Sequence, residues 1–205
     1  IPGDNDFEYI SGKIDHYWND QLRSTLRINS GDATIERQGG GLDGGVLFPS
    51  ASSTQRRESF LTSLQTTYTS KNMVSETNLQ FGTFDWGYVD PNNGPSHQAS
   101  VLGPDELTDA ILGHPGWTFD SREESIQLQQ KFTWFLGDHT MKVGAEMISS
   151  SFDLRAGGNP NGNYQIKLTE SQLATVREAG LGAELDIDDI ASVLGPENIE
   201  VLNYN

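Results

Sequence analysis

Residues 127–146 read QLQQKFTWFLGDHTMKVGAE, and the alternation within them is the strongest pattern in the sequence. Apolar and polar residues alternate on both sides of Gly137-Asp138-His139, a polar segment with the composition of a tight turn. The apolar positions of the two arms are Ile126, Leu128, Phe132, Trp134, Met141, Val143, Ala145 and Met147. Gln130 and Ile148 break the alternation. The pattern predicts an antiparallel β-hairpin with one apolar face and one polar face.

Two earlier parts of the chain repeat this design. The first alternates over residues 10–15 and 22–29, and the second over residues 60–68 and 76–81, with an exception at Leu61. We therefore predict three hairpins, at about residues 7–37, 57–88 and 124–153. The connections between and after them are long, at about residues 38–56, 89–123 and 154–205.

Short turns within hairpins thus alternate with long connections between hairpins. In an up-and-down sheet this asymmetry places all the short turns at one end, as in outer-membrane β-barrels. A soluble β-sandwich distributes its loops more evenly. The predicted fold class is therefore an all-β, antiparallel, up-and-down transmembrane β-barrel segment whose long loops carry short helices.

Aromatic residues cluster near both ends of the predicted strands. Beside the short turns lie Tyr17, Trp18, Tyr68, Trp134 and Phe135, and near the far end of the fourth strand lie Phe84, Trp86 and Tyr88. Trp86 follows Val74 by about 12 residues, or about 28 Å along the membrane normal at a tilt of about 45°. This is close to the thickness of a hydrocarbon core, so we expect two aromatic girdles. The alternative is that these residues pack a soluble core, because aromatic residues favour strands.

The composition excludes several classes of protein. The 205 residues include 29 acidic and 13 basic side chains, and the formal charge of −16 disfavours nucleic-acid binding. The absence of cysteine excludes disulfides, zinc–thiolate sites and thiol nucleophiles. No stretch approaches the roughly 18 to 20 apolar residues of a membrane helix. The 35% hydrophobic content nevertheless suits membrane strands that have one wet face.

The long connections contain helix signals and much of the acidic charge. Pro104-Asp105-Glu106 predicts a short helix that ends at Leu112, before Gly113. Thr169-Glu170-Ser171-Gln172 fits a capping box, and Asp186 is the predicted N-cap of a further helix. Residues 169–205 hold eight acids against Arg177 alone, a net charge of −7. Asp186, Asp188 and Asp189 also suggest calcium, but the EF-hand glycine and distal glutamate are missing, so helix capping is the better interpretation.

Catalytic and phosphate-binding patterns are weak. His16, His97, His114 and His139 are scattered, without a Gly-x-Ser-x-Gly elbow or a His-Glu-x-x-His helix. The glycines at 39–41 and 44–45 lack the flanking strand, helix and lysine of a phosphate loop, so we expect a flexible loop tip. A carboxylate-pair hydrolase would need two acids at glycosidase spacing, and nothing in the sequence supports it. We expect no enzyme activity, no cofactor and no metal site.

The third hairpin, residues 127–146, resembles a barrel hairpin of TonB-dependent outer-membrane receptors, especially their Oar-like branch. There a strand ends at Gly-x-His and the next continues with Lys-apolar-Gly, as residues 137–139 and 142–144 do here. Residues 12–23, GKIDHYWNDQLR, are similar to another hairpin of that branch. The hairpins cover about half of the chain, and the loops carry no such resemblance.

This resemblance implies a barrel of about 22 strands, plugged by an N-terminal domain, that imports a scarce ligand with energy relayed through TonB. Neither the plug nor a TonB-contacting segment is present in these residues. We therefore expect a fragment of about six to seven strands, which contacts outer-membrane lipid and is completed by the rest of the same barrel and its plug.

The predicted function is uptake of an unknown ligand across the outer membrane, with extracellular loops contributing to its capture. Trp86, Tyr88 and Trp117 are the candidate ligand-binding residues, and nucleic acid is not an expected partner. The alternative is a soluble, secreted β-sandwich that binds glycan or protein through the same three aromatic residues.

Overall fold

The structure, a computed structural model, describes residues 4–37, 48–89, 97–114, 116–158, 162–181 and 185–204. The strands are β1 (Asn5–Tyr17), β2 (Leu22–Arg37), β3 (Ser53–Thr69), β4 (Met73–Val89), β5 (Gln98–Leu102), β6 (Thr108–Leu112), β7 (Trp117–Leu136), β8 (His139–Gly158), β9 (Asn163–Lys167) and β10 (Glu200–Tyr204). The helices are α1 (Glu170–Glu178) and α2 (Ile187–Leu194), with 3-10 turns at Pro49–Ala51 and Pro196–Asn198. The predicted glycine-rich loop tip lies outside the described residues. Within the described ranges, no helix has the length and apolar character needed to cross a membrane.

Six long strands form one antiparallel sheet in the order β1-β2-β3-β4-β7-β8. Neighbouring strands pair without a register shift. This meander of hairpins confirms the predicted fold class. Strands β7 and β8 are each 20 residues long, so the third hairpin extends beyond the predicted limits of 124–153.

The short turns are formed by polar groups and glycine at the strand ends. Asn19 Oδ1 accepts hydrogen bonds from the backbone N–H groups of Gln21 and Leu22, each at 2.9 Å. Gly137 has a φ of 60°, in the left-handed region that favours glycine, so β7 turns directly into β8. The turns β1–β2, β3–β4 and β7–β8 therefore lie at one end of the sheet, and the long connections leave from the other end.

The two faces of this sheet differ in chemistry over its central part. One face carries a row of directly opposed apolar residues, namely Ile14, Leu26, Leu64, Leu79, Leu128 and Met147. We call it the leucine face. The next row lies on the other face, the glutamine face, and consists of Asp15, Thr25, Gln65, Asn78, Gln129 and Glu146. Because successive side chains alternate between faces, the register aligns the apolar positions of all three hairpins.

Two of the three exceptions to the alternation, Gln130 and Leu61, have local partners. Gln130 lies on the leucine face, where its Oε1 accepts from Thr77 Oγ1 at 2.5 Å and its Nε2 donates to Ser75 Oγ at 2.9 Å. Leu61 lies on the glutamine face directly opposite Gly82, where a Cβ atom would be 3.2 Å from Leu61 Cδ1. The polar exception is thus hydrogen-bonded, and the apolar one fills the space above a glycine.

The predicted helix over residues 104–112 is wrong, because these residues form a turn and strand β6. Asp105 Oδ1 accepts a hydrogen bond from the N–H of Leu107 at 3.1 Å, and the N–H of Gly103 donates to the Leu107 carbonyl. Glu106 has a φ of 66°. The acidic side chain therefore stabilises a turn rather than a helix N-terminus, and β6 pairs with β5.

The two later helices begin where the sequence predicts. Thr169 and Gln172 form the capping box of α1. Asp186 caps α2, where its Oδ1 accepts from the N–H groups of Asp188 and Asp189 at 2.9 and 3.0 Å. The structure thus confirms helix capping as the role of the Asp186 carboxylate.

The long connections fold together into a second unit, which we call the loop unit and define as residues 48–52, 97–114, 162–181 and 185–204. Its four-stranded sheet has the order β10-β9-β5-β6, and β5 pairs with β9 in parallel. The buried core of this sheet and its helices consists of Ala99, Val101, Leu112, Ile166, Leu168, Val176 and Ile190. The predicted long loops at 89–123 and 154–205 are therefore largely structured.

Ser50 joins three chain segments of the loop unit. Its fully buried hydroxyl donates to the Leu185 carbonyl at 2.5 Å and accepts from the N–H of Gly113 at 2.9 Å. Gly113 has a φ of 81°, and a Cβ atom there would be 2.3 Å from the His97 carbonyl oxygen. The segments before β3, after β6 and before α2 thus meet at one buried side chain.

Candidate ligand-binding site

The apolar part of the leucine face has a defined height. It extends from the row of Phe60, which aligns with Glu124 on β7, to Trp134 near the short turn. These two rows are about ten residues apart, and a tilted strand needs about 9–11 residues to cross a hydrocarbon core. Large apolar side chains of this band, such as Leu64 and Leu79, are each 43% exposed. The band thus has the height of a membrane-spanning surface.

Beyond the Phe60 row, towards the long connections, the leucine face becomes charged. Its next two rows include Glu8, Asp32, Glu58, Asp85, Arg122 and Asp153, followed by Asp6, Arg56, Asp120 and Arg155. We call these ten residues the charged rim. Charged groups on this face mark the end of the surface that suits hydrocarbon.

At the same height the glutamine face becomes apolar. Its large apolar residues there are Phe7, Tyr9, Ile35, Phe84, Trp86, Tyr88, Phe119, Phe152 and Leu154. We call this set the apolar collar. The six strands therefore reverse their polarity along their length, although their pairing is uninterrupted.

The predicted aromatic girdle at the far end of the strands is wrong. Trp86 and Leu79 are seven positions apart on a regular strand, so their side chains lie on opposite faces. Phe84, Trp86 and Tyr88 accordingly belong to the collar. At the other end Tyr68 and Trp134 do lie on the leucine face, whereas Tyr17 and Phe135 lie on the glutamine face.

Three rings of the collar form a compact cluster. The ring centroid of Phe119 lies 4.7 Å from that of Trp86 and 6.2 Å from that of Tyr88. The Arg57 guanidinium carbon lies 5.7 Å from the centroid of the Trp86 ring. Gln55, which is completely buried, donates from Nε2 to the Tyr88 hydroxyl at 2.7 Å. Strands β3, β4 and β7 thus hold these groups in fixed positions.

The indole nitrogen of Trp86 is a further polar feature of the cluster. It is buried and makes no hydrogen bond within the described part of the chain. The tilted ring contact with Phe119, at an interplanar angle of 55°, and the contact with Arg57 therefore define its orientation. The cluster can offer flat aromatic surface together with one guanidinium group.

The candidate residues predicted from the sequence are placed only partly together. Trp86 and Tyr88 lie in the same cluster, with ring centroids 6.1 Å apart. Trp117 begins β7, where it is paired with Gly158, and its side chain lies outside the described part of the structure. Phe119 and Arg57 were not predicted, because their place beside Trp86 follows from the register of three strands.

The loop unit leaves the sheet at the collar end and is strongly acidic. Its residues include ten carboxylates against Lys167 and Arg177, a net charge of −8. Lys167 Nζ lies 2.7 Å from Glu106 Oε1. This hydrogen bond, with the attraction between the charges, lowers the pKa of Glu106 and raises the pKa of Lys167. Across the described residues, no group of three His, Asp or Glu side chains is arranged to hold a metal ion.

The sequence of residues 2–194 matches the family described as outer membrane beta barrel domain. This chain belongs to the outer-membrane β-barrel family. It is therefore a protein of the outer membrane, as predicted, and the leucine face contacts lipid while the glutamine face lines the barrel interior. Among curated protein sequences, none matches this chain.

Family membership also gives the barrel an orientation. Outer-membrane barrels have short turns on the periplasmic side and long loops on the extracellular side. We therefore expect the loop unit and the apolar collar on the extracellular side, with the collar facing the mouth of the barrel interior. The alternative prediction of a soluble, secreted β-sandwich is wrong.

Proposed function

We propose that this barrel segment belongs to a TonB-dependent transporter that takes up a scarce ligand, with the extracellular connections contributing to ligand capture. Its further partners in this proposal are outer-membrane lipid, the remainder of the same barrel, its plug, and TonB, which contacts the N-terminal part. No catalytic step is included.

The observation that carries the proposal is the folding of the extracellular connections into one structured unit. A barrel that served only as an anchor would need no buried core built from two separate connections and joined to a third at Ser50. Structured loops held by a rigid scaffold are a common location for binding residues. The loop unit therefore supports a role in recognition at the cell surface.

The aromatic cluster supports ligand capture in the barrel mouth. Trp86, Tyr88 and Phe119 lie on the interior side of strands that continue beyond the membrane. Ligand sites combine such apolar surface with a few fixed polar groups, which Arg57 supplies here. The part of the proposal in which TonB supplies the energy for uptake is supported by the resemblance of residues 127–146 to the hairpins of TonB-dependent receptors.

The proposal is tested with the full-length protein and the periplasmic domain of TonB. We expect the detergent-solubilised full-length protein to retain this domain in a pull-down, and a TonB-box peptide to compete for it. A porin of the same membrane, treated identically, is the control. Absence of a TonB interaction would contradict the transporter proposal and would leave the barrel assignment unchanged.

A second experiment measures uptake in cells. The growth of strains that lack this protein or lack TonB is compared with that of the parent strain, with iron, cobalamin, peptide or glycan as the limiting nutrient. We expect both deletions to cause the same growth defect on one nutrient, and re-expression of the protein to restore growth only when TonB is present. A defect that does not depend on TonB would indicate passive diffusion through the barrel.

A further inference from the structure

The charged rim lies directly beyond the lipid-contacting band of the leucine face. Along β3, Glu58 is the next residue on this face after Phe60, and along β4, Asp85 follows Phe81 by four positions. At about 3.3 Å per residue and a tilt of about 45°, these steps place the rim about 5 to 9 Å beyond the last apolar side chains. The headgroup layer on each side of a hydrocarbon core is about 5 to 8 Å thick. The rim therefore lies at the height of the lipid headgroups, on the side of the long connections.

Three central strands form a hollow in this rim. Gly87 on β4 is paired with Arg56 on β3 and with Asp120 on β7. Because glycine has no side chain, the space between these two charged residues stays open, and the hollow has a volume of about 450 Å³. Strands β3, β4 and β7 each have a neighbour on both sides. The hollow is therefore a feature of the paired sheet and not of its open edges.

The hollow opens towards lipid and not towards the barrel interior. Its walls, Arg56, Glu58 and Asp120, are exposed side chains of the leucine face. Further strands of the barrel would extend the sheet at β1 and β8, and a plug would lie on the side of the glutamine face, so neither covers this part of the rim. The surface is continuous with the band that contacts lipid. Its occupant is therefore the headgroup of an outer-membrane lipid.

The charges around the hollow favour a headgroup that carries both a cation and an anion. Glu58, Asp85 and Asp120 place three carboxylates beside one guanidinium, that of Arg56, which gives a net charge of −2. This field attracts an ammonium group and disfavours a headgroup that is only anionic. The guanidinium matches the phosphate that every phospholipid carries. A primary ammonium donates three hydrogen bonds to carboxylates, whereas a quaternary ammonium donates none.

Two of the three carboxylates are available to such an ammonium group. Asp85 shares Arg122, whose Nε lies 3.8 Å from Asp85 Oδ1 and whose second guanidinium nitrogen lies 2.9 Å from Glu124 Oε1. Glu58 and Asp120 form no ion pair within the described part of the chain. These two carboxylates can therefore bind a cation without breaking an existing contact.

We propose that the hollow at Gly87 binds the phosphoethanolamine headgroup of an outer-membrane lipid, with the ammonium at Glu58 and Asp120 and the phosphate at Arg56. The acyl chains of the same lipid lie along the apolar band below the rim. This inference goes beyond the proposed uptake function and does not depend on TonB.

The test measures which lipids the full-length protein retains. Purified protein is incubated in mixed detergent micelles with equal amounts of phosphatidylethanolamine, phosphatidylcholine and phosphatidylglycerol that have the same acyl chains. Native mass spectrometry counts the bound lipids, and since the acyl chains are identical, differences in retention report the headgroup. We expect phosphatidylethanolamine to be retained about fivefold over each of the other two, the factor for one exposed ion pair of about 1 kcal/mol.

Variants separate the roles of the ammonium, the phosphate and the hollow. Glu58→Gln with Asp120→Asn removes two carboxylates at nearly constant size and should abolish the preference for phosphatidylethanolamine. Arg56→Gln should lower the retention of all three lipids. Gly87→Val fills the hollow without a change in charge, because its Cβ would lie 3.1 Å from Asp120 Oδ1, and should also abolish the preference. The control is Glu123→Gln, which removes a carboxylate at the same height on the glutamine face and should keep the preference.

Heat-modifiable gel migration verifies that each variant assembles, and the charge variants decide the question if Gly87→Val does not. Equal retention of phosphatidylethanolamine and phosphatidylcholine, or a preference for phosphatidylglycerol, would overturn the headgroup assignment. So would an equal loss of preference in Glu123→Gln. A preference that survives in assembled Gly87→Val would overturn the hollow as the binding site, since the charge of the whole rim would then be its cause. The TonB pull-down decides the transporter proposal independently of these results.

Discussion

The six-stranded sheet and the loop unit distribute their apolar residues in opposite ways. All the buried apolar side chains among the described residues belong to the loop unit, including Leu112, Ile166 and Ile190. The sheet instead exposes its apolar residues, such as Leu64 and Leu79. The loop unit is built as a water-soluble globule, and the sheet as a surface for lipid. One part of the chain is therefore suited to lipid and the other to water. The boundary between them lies beyond Phe60, where the polarity of the two sheet faces reverses.

The largest effect is expected from charging the lipid face. Leu64→Arg and Leu79→Arg in the full-length protein should each destabilise the inserted barrel by roughly 2–4 kcal/mol, because the guanidinium lies in hydrocarbon. Assembly is measured by heat-modifiable gel migration and by outer-membrane fractionation.

The matched control for Leu64→Arg is Glu58→Arg, six positions away on the same strand and the same face. Glu58 belongs to the charged rim, so an arginine there should leave assembly unchanged. If both substitutions are tolerated equally, the boundary at Phe60 is misplaced.

The second effect concerns the buried junction of the loop unit. Ser50→Ala removes a donor to the Leu185 carbonyl and an acceptor for the Gly113 N–H, which should destabilise the loop unit by about 1–3 kcal/mol. Hydrogen exchange in β5 and β6 should become faster while exchange in β3 and β4 stays slow.

Ser192→Ala is the control, because the Ser192 hydroxyl is exposed and bonds only within α2. The prediction fails if Ser50→Ala accelerates exchange equally in both sheets, since the two units would then unfold as one.

A smaller effect is expected at the start of α2. Asp186→Ala removes the N-cap carboxylate that accepts hydrogen bonds from two backbone N–H groups. The stability of α2 should therefore fall by about 0.5–2 kcal/mol. Amide exchange of Ile190 reports the change. Asp188→Asn, which leaves the cap intact, should have less effect, and an equal effect would assign the stabilisation to the helix dipole.

The smallest effect is expected at the Glu106–Lys167 pair. The pKa of Glu106 is lowered, so its charged carboxylate contributes stability. This contribution to stability is lost as the pH falls below the usual value of 4.5 and through the lowered pKa. The pKa of Lys167 is raised, so its contribution is lost as the pH rises above 10.5 and through the raised pKa. Glu106→Gln should therefore slightly increase protease sensitivity of the β5–β6 turn between these limits, and the difference should shrink as the pH falls through the lowered pKa of Glu106. A pH-independent difference would mean that the turn, not the ion pair, is affected.

The sequence alone predicted the features that are determined by residues close together in the chain. Alternation around Leu64 and Leu79 predicted the sheet, and Thr169 and Asp186 predicted the two helix starts, because strand faces and helix caps are local. The predicted helix over 104–112 is wrong because Asp105 stabilises a turn equally well. The predicted girdle is wrong at Trp86 because the prediction used the distance of Trp86 from Val74 without its parity relative to Leu79.

The remaining features depend on contacts between distant residues. The parallel pairing of β5 with β9 joins two five-residue strands from different connections, and short strands carry too little alternation to be recognised. Likewise, Phe119 and Arg57 reach Trp86 only through the register of β3, β4 and β7. Trp86 and Tyr88 could therefore be predicted from the sequence as aromatic residues, whereas Phe119 and Arg57 could be assigned to the site only from the assembled sheet.

The junction at Ser50 has a consequence for the order of folding. It joins residues 50, 113 and 185, and the β5–β9 pair closes a long chain loop around the β7–β8 hairpin. We expect such contacts to form late, because the entropy cost of closing this loop is smaller once the intervening β7–β8 hairpin has formed. We therefore expect the loop unit to assemble after these strands have paired, so slow exchange of its amides should appear only once that pairing is in place.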